Sequence, residues 1–188
     1  MKVSLGARTL VYPTPVFIVG TYDEAGKPNI MNAAWGGICC SQPPCVAVSI
    51  RKQRHTYGAI VKNKAFTISI PSAQYAKEAD YVGTHSGRDE DKFAATGLTP
   101  VRSQLVEAPY VGEFPLALEC KLVHSFELGV HTQFVGEILD VKVEQSALGE
   151  KGRPDIRKID PFLFAPGEQS YYRVGEWIAK AFSTGKAR

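Results

Sequence analysis

The chain lacks a long hydrophobic run and lacks the glycine-rich signatures of nucleotide-binding loops. No apolar stretch approaches the roughly 20 residues that span a bilayer, and Pro13 and Pro15 interrupt the N-terminal region before it can form the apolar part of a signal peptide. We therefore expect no membrane segment and a cytoplasmic location. Neither G-x-G-x-x-G nor G-x-x-x-x-G-K-[ST] occurs, which disfavours the Rossmann and P-loop folds.

An excess of charge of one sign is also absent. The 188 residues include 22 Lys and Arg and 19 Asp and Glu, giving a formal net charge of +3. Apart from a cluster at 51–54 the basic residues are scattered, so we expect a local anion site and no nucleic-acid partner. Hydrophobic residues make up 44% and charged residues 22%, as in folded domains, and the length predicts one domain over residues 1–188.

Cysteine is scarce, and its spacing excludes the usual cysteine-rich sites. The four cysteines are Cys39, Cys40, Cys45 and Cys120. No C-x-x-C pair suggests zinc or thioredoxin-like chemistry, and an intracellular chain seldom keeps structural disulfides. We predict all four to be small buried apolar residues without a redox role, and we expect no metal site.

A cluster of cations follows a predicted strand at 46–51. Residues 46, 48 and 50 are apolar and alternate with 47, 49 and 51, which is typical of a half-buried strand. Thr56 is a predicted N-cap for a helix over 57–63. Because a helix start presents free N–H groups and a partial positive charge, cations at the same corner indicate a phosphate site; the alternative is a solvated basic turn. The side chains concerned are Ser49, Arg51, Lys52, Arg54, His55 and Thr56.

Strands and turns predominate in the rest of the chain. Residues 16–22 and 27–35 predict a hairpin, and the second strand carries small and amide side chains that allow a flat ligand to approach closely. A loop is predicted over 36–44, a strand at 65–70 and a helix from Ser72 to Val82. The polar segment 84–93 is either an exposed loop or a second set of contacts to an anion.

The C-terminal half predicts two more strands, within 116–122 and 133–143, joined near Gly129. Residues 144–170 are too rich in Gly and Pro for a long element. An aromatic segment follows at 171–178 and needs to be covered by the barrel or by a second subunit. Short strands with helices between them, without regular β-α alternation, predict a mainly β fold, a small antiparallel barrel with helical insertions.

These motifs, in this order, resemble those of the flavin reductase-like FMN-binding split barrels over nearly the whole chain. The segments that carry the resemblance are 12–16 (YPTPV), 26–29 (GKPN), 32–38 (NAAWGGI), 43–51 (PPCVAVSIR), 55–57 (HTY), 86–89 (SGRD), 91–93 (DKF), 97–100 (GLTP) and 131–136 (HTQFVG).

The resemblance implies an antiparallel split β-barrel, a homodimer, and FMN bound without a covalent link near the subunit boundary. It places the FMN phosphate at the corner of cations and the flat ring along residues 29–35. The cofactor-binding residues that it implies are Asn29, Met31, Asn32, Ala33, Ala34, Trp35, Ser49, Ile50, Arg51, Arg54, His55, Thr56, Ser86 and Lys92.

The resemblance also implies electron transfer and one catalytic residue. His131 corresponds to the histidine of a Gly-Asp-His motif that reductases of this family use near nicotinamide, but the middle residue here is Val130. This difference favours an electron carrier that receives electrons from a redox partner protein. The alternatives are an NAD(P)H-dependent flavin or ferric reductase, and a binding module such as a flavin sensor or a haem-binding relative in which His is an axial ligand.

Overall fold

The structure is a computed structural model and describes residues 1–186. Strands dominate this part of the chain, and four short α-helices interrupt them. The strands are β1 (Thr14–Pro15), β2 (Phe17–Tyr22), β3 (Pro28–Ala33), β4 (Gly36–Ser41), β5 (Pro44–Arg51), β6 (Ala65–Ile70), β7 (Pro100–Arg102), β8 (Pro109–Val111), β9 (Leu116–Leu128), β10 (His131–Val143), β11 (Phe162–Ala165) and β12 (Ser170–Arg173). The helices are α1 (His55–Asn63), α2 (Ala76–Thr84), α3 (Lys92–Thr96) and α4 (Ile156–Ile159).

The main sheet has seven antiparallel strands in the order β3-β2-β6-β9-β10-β5-β4. Its two outer strands, β3 and β4, are separated in sequence only by Ala34 and Trp35. The two edges of the sheet therefore meet at this connection, and the sheet curls into a split barrel. The predicted fold class, mainly β with an antiparallel barrel and helical insertions, is confirmed.

Two groups of buried apolar side chains form the core. One fills the barrel and includes Val46, Val48 and Ile50, so the apolar face predicted for 46–51 is confirmed. Ala47, predicted on the opposite face, is buried as well. The other lies between the barrel and α2, and includes Ala79 and Val82. Their spacing predicted the buried face of this helix, which begins at Ala76 after a short 3-10 turn over Ala73–Tyr75.

A small second sheet in the order β1-β11-β12 brings the N-terminal region together with residues 162–173. Tyr171 on β12 packs edge-on against Phe162, with ring centroids 5.3 Å apart. Its hydroxyl donates a hydrogen bond to Asp80 Oδ1 on α2 at 2.9 Å. The small sheet is thereby attached to the helix that borders the candidate site.

Two local predictions are wrong, and the exposed-loop alternative for residues 84–93 fails at its C-terminal end. The helix predicted over 57–63 is α1, which begins at His55, and its N-cap residue is Arg54, whose side chain makes no capping hydrogen bond. Thr56, the predicted N-cap, lies inside the first turn, where its Oγ1 accepts a hydrogen bond from Asn29 Nδ2 at 2.9 Å. The segment predicted as a loop over 36–44 contains the strand β4, since main-chain pairing with β5 needs no apolar alternation. Lys92 does not end a solvated loop: it begins α3, and the residue is 4% exposed.

The burial predicted for the cysteines is correct for two of them and wrong for two. Cys45 and Cys120 are buried, whereas Cys39 and Cys40 are exposed free thiols. The reason is their position on β4, which has a neighbouring strand on one side only.

The aromatic segment at the C-terminal end is only partly covered. Tyr171 is half-buried, but Trp177, Ile178 and Phe182 expose 79%, 92% and 93% of their surface. The barrel therefore leaves much of this apolar segment free. None of the helices in residues 1–186 combines the length and the apolar character needed to cross a bilayer.

Candidate functional site

A cavity of about 350 Å³ opens beside the connection between β3 and β4. Its floor is the connection itself and the C-terminal end of β5, and α2 and the small sheet border it. The lining residues are Met31, Asn32, Ala33, Ala34, Trp35, Ser49, Ile50, Arg51, Arg54, Asp80, Gly83, Thr84, His131, Phe164 and Tyr171.

Main-chain and amide contacts hold the floor of this first cavity in place. Ser49 N donates to Trp35 O at 2.8 Å, which joins the β3–β4 connection to β5. Asn32 Nδ2 donates to Ala79 O on α2 at 3.0 Å. Ala33 and Ala34 add little bulk, so a planar group can approach the main chain closely.

A second cavity, of about 320 Å³, adjoins the first at the start of α1. Both cavities are lined by Met31, Arg54 and Gly83, so together they form one elongated site with a flat part and a polar, cationic end. The second cavity is lined by Met31, Gln53, Arg54, His55, Thr56, Val82, Gly83, His85, Ser86, Gly87, Arg88, Asp89 and Lys92.

Two buried polar atoms at the cationic end make no hydrogen bond. They are His55 Nε2, which lies 3.9 Å from Asp23 Oδ2, and Asn29 Oδ1, which packs against Gly87. The Thr56 hydroxyl accepts from Asn29, and its own hydrogen remains available as a donor. His55 and Thr56 both line the second cavity. Because buried polar groups are normally paired, these two side chains fit this end of the site to a polar ligand.

Close packing at Gly87 gives the cationic end its shape. A Cβ at this position would lie 2.0 Å from Asn29 Oδ1 and 2.9 Å from His55 Cδ2. Only glycine therefore lets the 84–91 loop approach β3 and α1 so closely. The loop also contacts the turn before α1 through Arg88, whose Nη1 donates to Gln53 O at 3.0 Å.

Lys92 supplies a buried amine to the wall of the second cavity. Its Nζ donates to Ile30 O at 2.9 Å and to Val82 O at 2.8 Å, which leaves one of its three N–H groups free when it is charged. Burial, and then the positive charge of Arg54, lower the pKa of Lys92 to about 8. An anion in the cavity would oppose both effects by stabilising the charged form.

His131 lies at the mouth of the first cavity, paired with Arg51 across the β10–β5 ladder. Burial, and secondarily the charge of Arg51, lower the pKa of His131 below its usual value. The imidazole is therefore neutral at neutral pH, with one nitrogen as a donor and the other as an acceptor.

The structure brings the sequence-predicted site residues together. Thirteen of the fourteen predicted cofactor-binding residues line one of the two cavities, and His131 does so too. The fourteenth, Asn29, lines neither cavity but donates a hydrogen bond to the Thr56 hydroxyl.

Sequence reasoning missed several lining residues, which come from α2, the 84–91 loop, the small sheet and the turn before α1. Phe164 and Tyr171 are more than 100 residues from the strands that they face, and no local pattern points to them. Gly83 and Arg88 lie in or beside the segment 84–93. The glycine and the cations of that segment were the sequence features that could have indicated these residues. The missed residues are Gln53, Asp80, Val82, Gly83, Thr84, His85, Gly87, Arg88, Asp89, Phe164 and Tyr171.

Comparisons with known proteins agree with this architecture. Residues 8–172 match the family model described as flavin reductase like domain. The fold is similar to that of flavoredoxin of Desulfovibrio vulgaris (Miyazaki F), with a TM-score of 0.95 and 63% identity over 99% of this chain and 100% of that one. It is also similar to flavoredoxin from Methanosarcina acetivorans, with a TM-score of 0.93 and 33% identity over 99% of this chain and 98% of that one.

A more distant relative is an Archaeoglobus fulgidus protein named ferric-chelate reductase (NAD(P)H), 28% identical over 57% of this chain and 63% of the relative. The family match spans the barrel, both cavities and the small sheet. The chain therefore belongs to the flavin reductase-like domain family.

Proposed function

We propose that the chain is an FMN-binding flavoprotein of the flavoredoxin type that transfers electrons through a non-covalently bound flavin. The observation that carries the proposal is the elongated double cavity, which has a flat part beside small side chains and a cationic end with unpaired buried polar atoms. FMN has the matching shape, a planar ring joined to a terminal phosphate. Its ring supplies the redox chemistry, and the protein binds and orients it.

At the cationic end, Arg54 and the free hydrogen of Thr56 meet the phosphate in this proposal. Lys92 donates its remaining N–H from the cavity wall, while Ser86 and His55 close the other sides. Asn29 fixes the Thr56 hydroxyl by the hydrogen bond that it donates. The first N–H groups of α1 add a partial positive charge at the same place.

At the flat end, the ring lies against residues 31–35 and the edge of Ser49, Ile50 and Arg51. Hydrogen bonds from this floor to the ring would tune the redox potential of the flavin. His131 faces the same cavity from β10.

The preferred electron donor is a redox partner protein. The position of His131 supports a second candidate, an NAD(P)H-dependent reductase, because a neutral imidazole at the cavity mouth can contact a nicotinamide. The Archaeoglobus fulgidus relative bears a name of that kind. Anaerobic mixing with NADH and with NADPH separates the two: a carrier is reduced slowly by both, whereas a reductase is reduced rapidly by one of them.

The chain's assembly and location are part of the same proposal. We propose a homodimer of single-domain subunits, since Trp177, Ile178 and Phe182 are highly exposed and such apolar segments mark interaction surfaces. A cytoplasmic location is consistent with four cysteines that are all free thiols.

The decisive experiment is FMN titration of the purified protein and of two charge-reversal variants. Arg54→Glu places a negative charge at the phosphate end, and loss of a charged contact there weakens binding by about 2 to 5 kcal/mol. Lys62→Glu makes the same change in net charge at the other end of α1 and is the control. Quenching of FMN fluorescence reports the dissociation constants.

We expect a yellow protein, strong weakening by Arg54→Glu and near-normal affinity for Lys62→Glu. A protein that takes up no FMN would overturn the proposed function. Equal affinities for the two variants would show that the phosphate lies elsewhere.

A further inference from the structure

Two cysteine thiols face each other across the β4–β5 hairpin, outside both cavities. The antiparallel ladder pairs Cys40 directly with Cys45, next to the two-residue turn that Ser41 and Pro44 close. Side chains of directly opposite residues in such a ladder lie on the same face, with Cβ atoms about 4.5 to 5.5 Å apart. Cα atoms of directly opposite residues are about 4.5 to 5.5 Å apart, which is within the range of about 4.4 to 6.8 Å found in disulfides. The backbone spacing therefore suits a disulfide, and its formation draws the Cβ atoms in to about 3.5 to 4.5 Å.

The two thiols differ in accessibility. Cys40 is exposed, and Cys45 is 5% exposed. Burial, and then the neighbouring Cys40, raise the pKa of the Cys45 thiol. Cys39 is also exposed, but a register shift between Ile38 and Cys40 leaves it opposite no residue of β5.

We propose that Cys40 and Cys45 form a reversible intrachain disulfide, which makes this hairpin a second redox site of the protein. The oxidant is a low-molecular-weight disulfide. The Cys40 thiolate attacks one of its sulfur atoms, forms a mixed disulfide and releases one thiolate. The Cys45 sulfur then attacks the Cys40 sulfur and releases the second thiolate.

The step is balanced within these partners. The two cysteines lose two electrons and two protons, the small disulfide gains the two electrons, and its two thiolates accept the protons. Excess small thiol reverses both exchanges. No cofactor takes part, so the inference is independent of the proposed function.

The site is separate from the candidate cofactor site. Ser49 at the cavity floor lies four positions after Cys45 along β5, a distance of about 13 Å at 3.3 Å per residue. Neither cysteine lines either of the two cavities of that site. Substitution of either one should therefore leave FMN affinity unchanged within twofold.

The test is oxidation of the full chain with glutathione disulfide, blocking of free thiols with iodoacetamide, and mass spectrometry of unreduced peptides. No Lys or Arg lies between Cys39 and Cys45, so one tryptic peptide contains all three and variants must identify the pair. Cys39→Ser is the matched control, because it removes an exposed neighbour and leaves the pair intact. Cys40→Ser and Cys45→Ala each remove one member.

We expect the wild-type peptide and the Cys39→Ser peptide to lose two hydrogen atoms, and reduced glutathione to restore them. Cys40→Ser and Cys45→Ala should show no internal crosslink. Cys40 is exposed, so Cys40→Ser tests the pair even if Cys45→Ala folds poorly. The proposal is wrong if oxidation yields only glutathione adducts, a crosslink between chains, a pair that includes Cys39, or no reaction.

Discussion

At the scale of single residues, Asn29 is the buried side chain on which the cationic end of the site depends. It is 5% exposed and donates to the Thr56 hydroxyl, while its own carbonyl oxygen has no partner. Gly87 packs against it so closely that an added methyl group would overlap that oxygen. Asn29 cannot move aside without breaking its hydrogen bond to Thr56.

Gly87→Ala is therefore expected to weaken FMN binding at least tenfold, about 1.4 kcal/mol. The physical reason is displacement of Asn29, which turns the Thr56 hydroxyl away from the phosphate. Fluorescence titration measures the effect. The matched control is Gly58→Ala on α1, where a Cβ would meet nothing within 4 Å.

Gly58→Ala should leave FMN affinity unchanged and raise the free energy of unfolding by about 0.5 to 1 kcal/mol, since alanine favours helix more than glycine does. If Gly87→Ala binds FMN as tightly as Gly58→Ala, the phosphate does not lie beside Asn29.

Lys92 predicts a pH dependence of FMN binding. Below its pKa of about 8 the side chain is charged and attracts the phosphate; above that pH the unliganded protein loses this charge. Bound phosphate raises the pKa, so binding takes up a proton between the two values. We expect the dissociation constant to increase by up to about tenfold per pH unit above pH 8.

Titrations of wild type and Lys92→Met from about pH 7 to 9.5 test this linkage. The variant has no amine to titrate, so its affinity should be weaker at pH 7 and should change less with pH. A wild-type profile that runs parallel to that of the variant would mean that the Lys92 amine does not face the phosphate.

At the scale of elements, β12 and α2 close the first cavity through one side chain. Tyr171 packs on Phe162 and Phe164 in the small sheet, and its hydroxyl donates to Asp80 on α2. Burial, and then the bond to the Asp80 carboxylate, raise the pKa of Tyr171, so this hydroxyl keeps its proton at neutral pH. The neighbouring Tyr172 donates only to Glu168 within its own hairpin.

Tyr171→Phe should keep the aromatic packing and lose the link between the two elements. We expect a loss of about 1 kcal/mol in the free energy of unfolding and faster hydrogen exchange of residues 162–173. Tyr172→Phe is the control and should change stability by less than about 0.5 kcal/mol. Equal exchange rates in the two variants would show that the Asp80 bond does not hold the small sheet.

The elements that the sequence predicted are those with apolar side chains at strand or helix spacing. β5 and the buried face of α2 had such spacing, and both were found. β4 exposes four of its six residues. Its strand conformation comes from main-chain pairing with β5, which does not produce a pattern of hydrophobic residues in the sequence. Phe164 and Tyr171 reach the site only because the small sheet folds back on α2.

Within the site, the sequence identified residue types better than their roles. Thr56 follows a basic turn as an N-cap does, but Asn29, 27 residues away, binds its hydroxyl. Lys92 looked like a cation on a loop, yet two main-chain carbonyls hold it in the interior. Both outcomes depend on contacts between distant segments, which local patterns cannot report.

At the scale of the whole molecule, the residues that follow the family domain determine the expected assembly. The family match ends at residue 172, and Trp177, Ile178 and Phe182 beyond it are the most exposed large apolar residues after Met1. Burying one such side chain contributes about 1.5 to 3 kcal/mol. In the proposed homodimer, the second subunit covers this segment.

Sedimentation equilibrium should therefore give a mass twice the 20.5 kDa of the chain. The double variant Trp177→Ser with Phe182→Ser should raise the dimer dissociation constant at least tenfold, or about 1.4 kcal/mol. Leu105→Ser removes an exposed apolar residue of the β7–β8 connection and should leave the dimer intact. A wild-type mass of one chain would contradict the homodimer; a dimer that persists in the double variant would place the subunit interface on another face, such as the β9–β10 hairpin with its exposed Phe126 and Leu128.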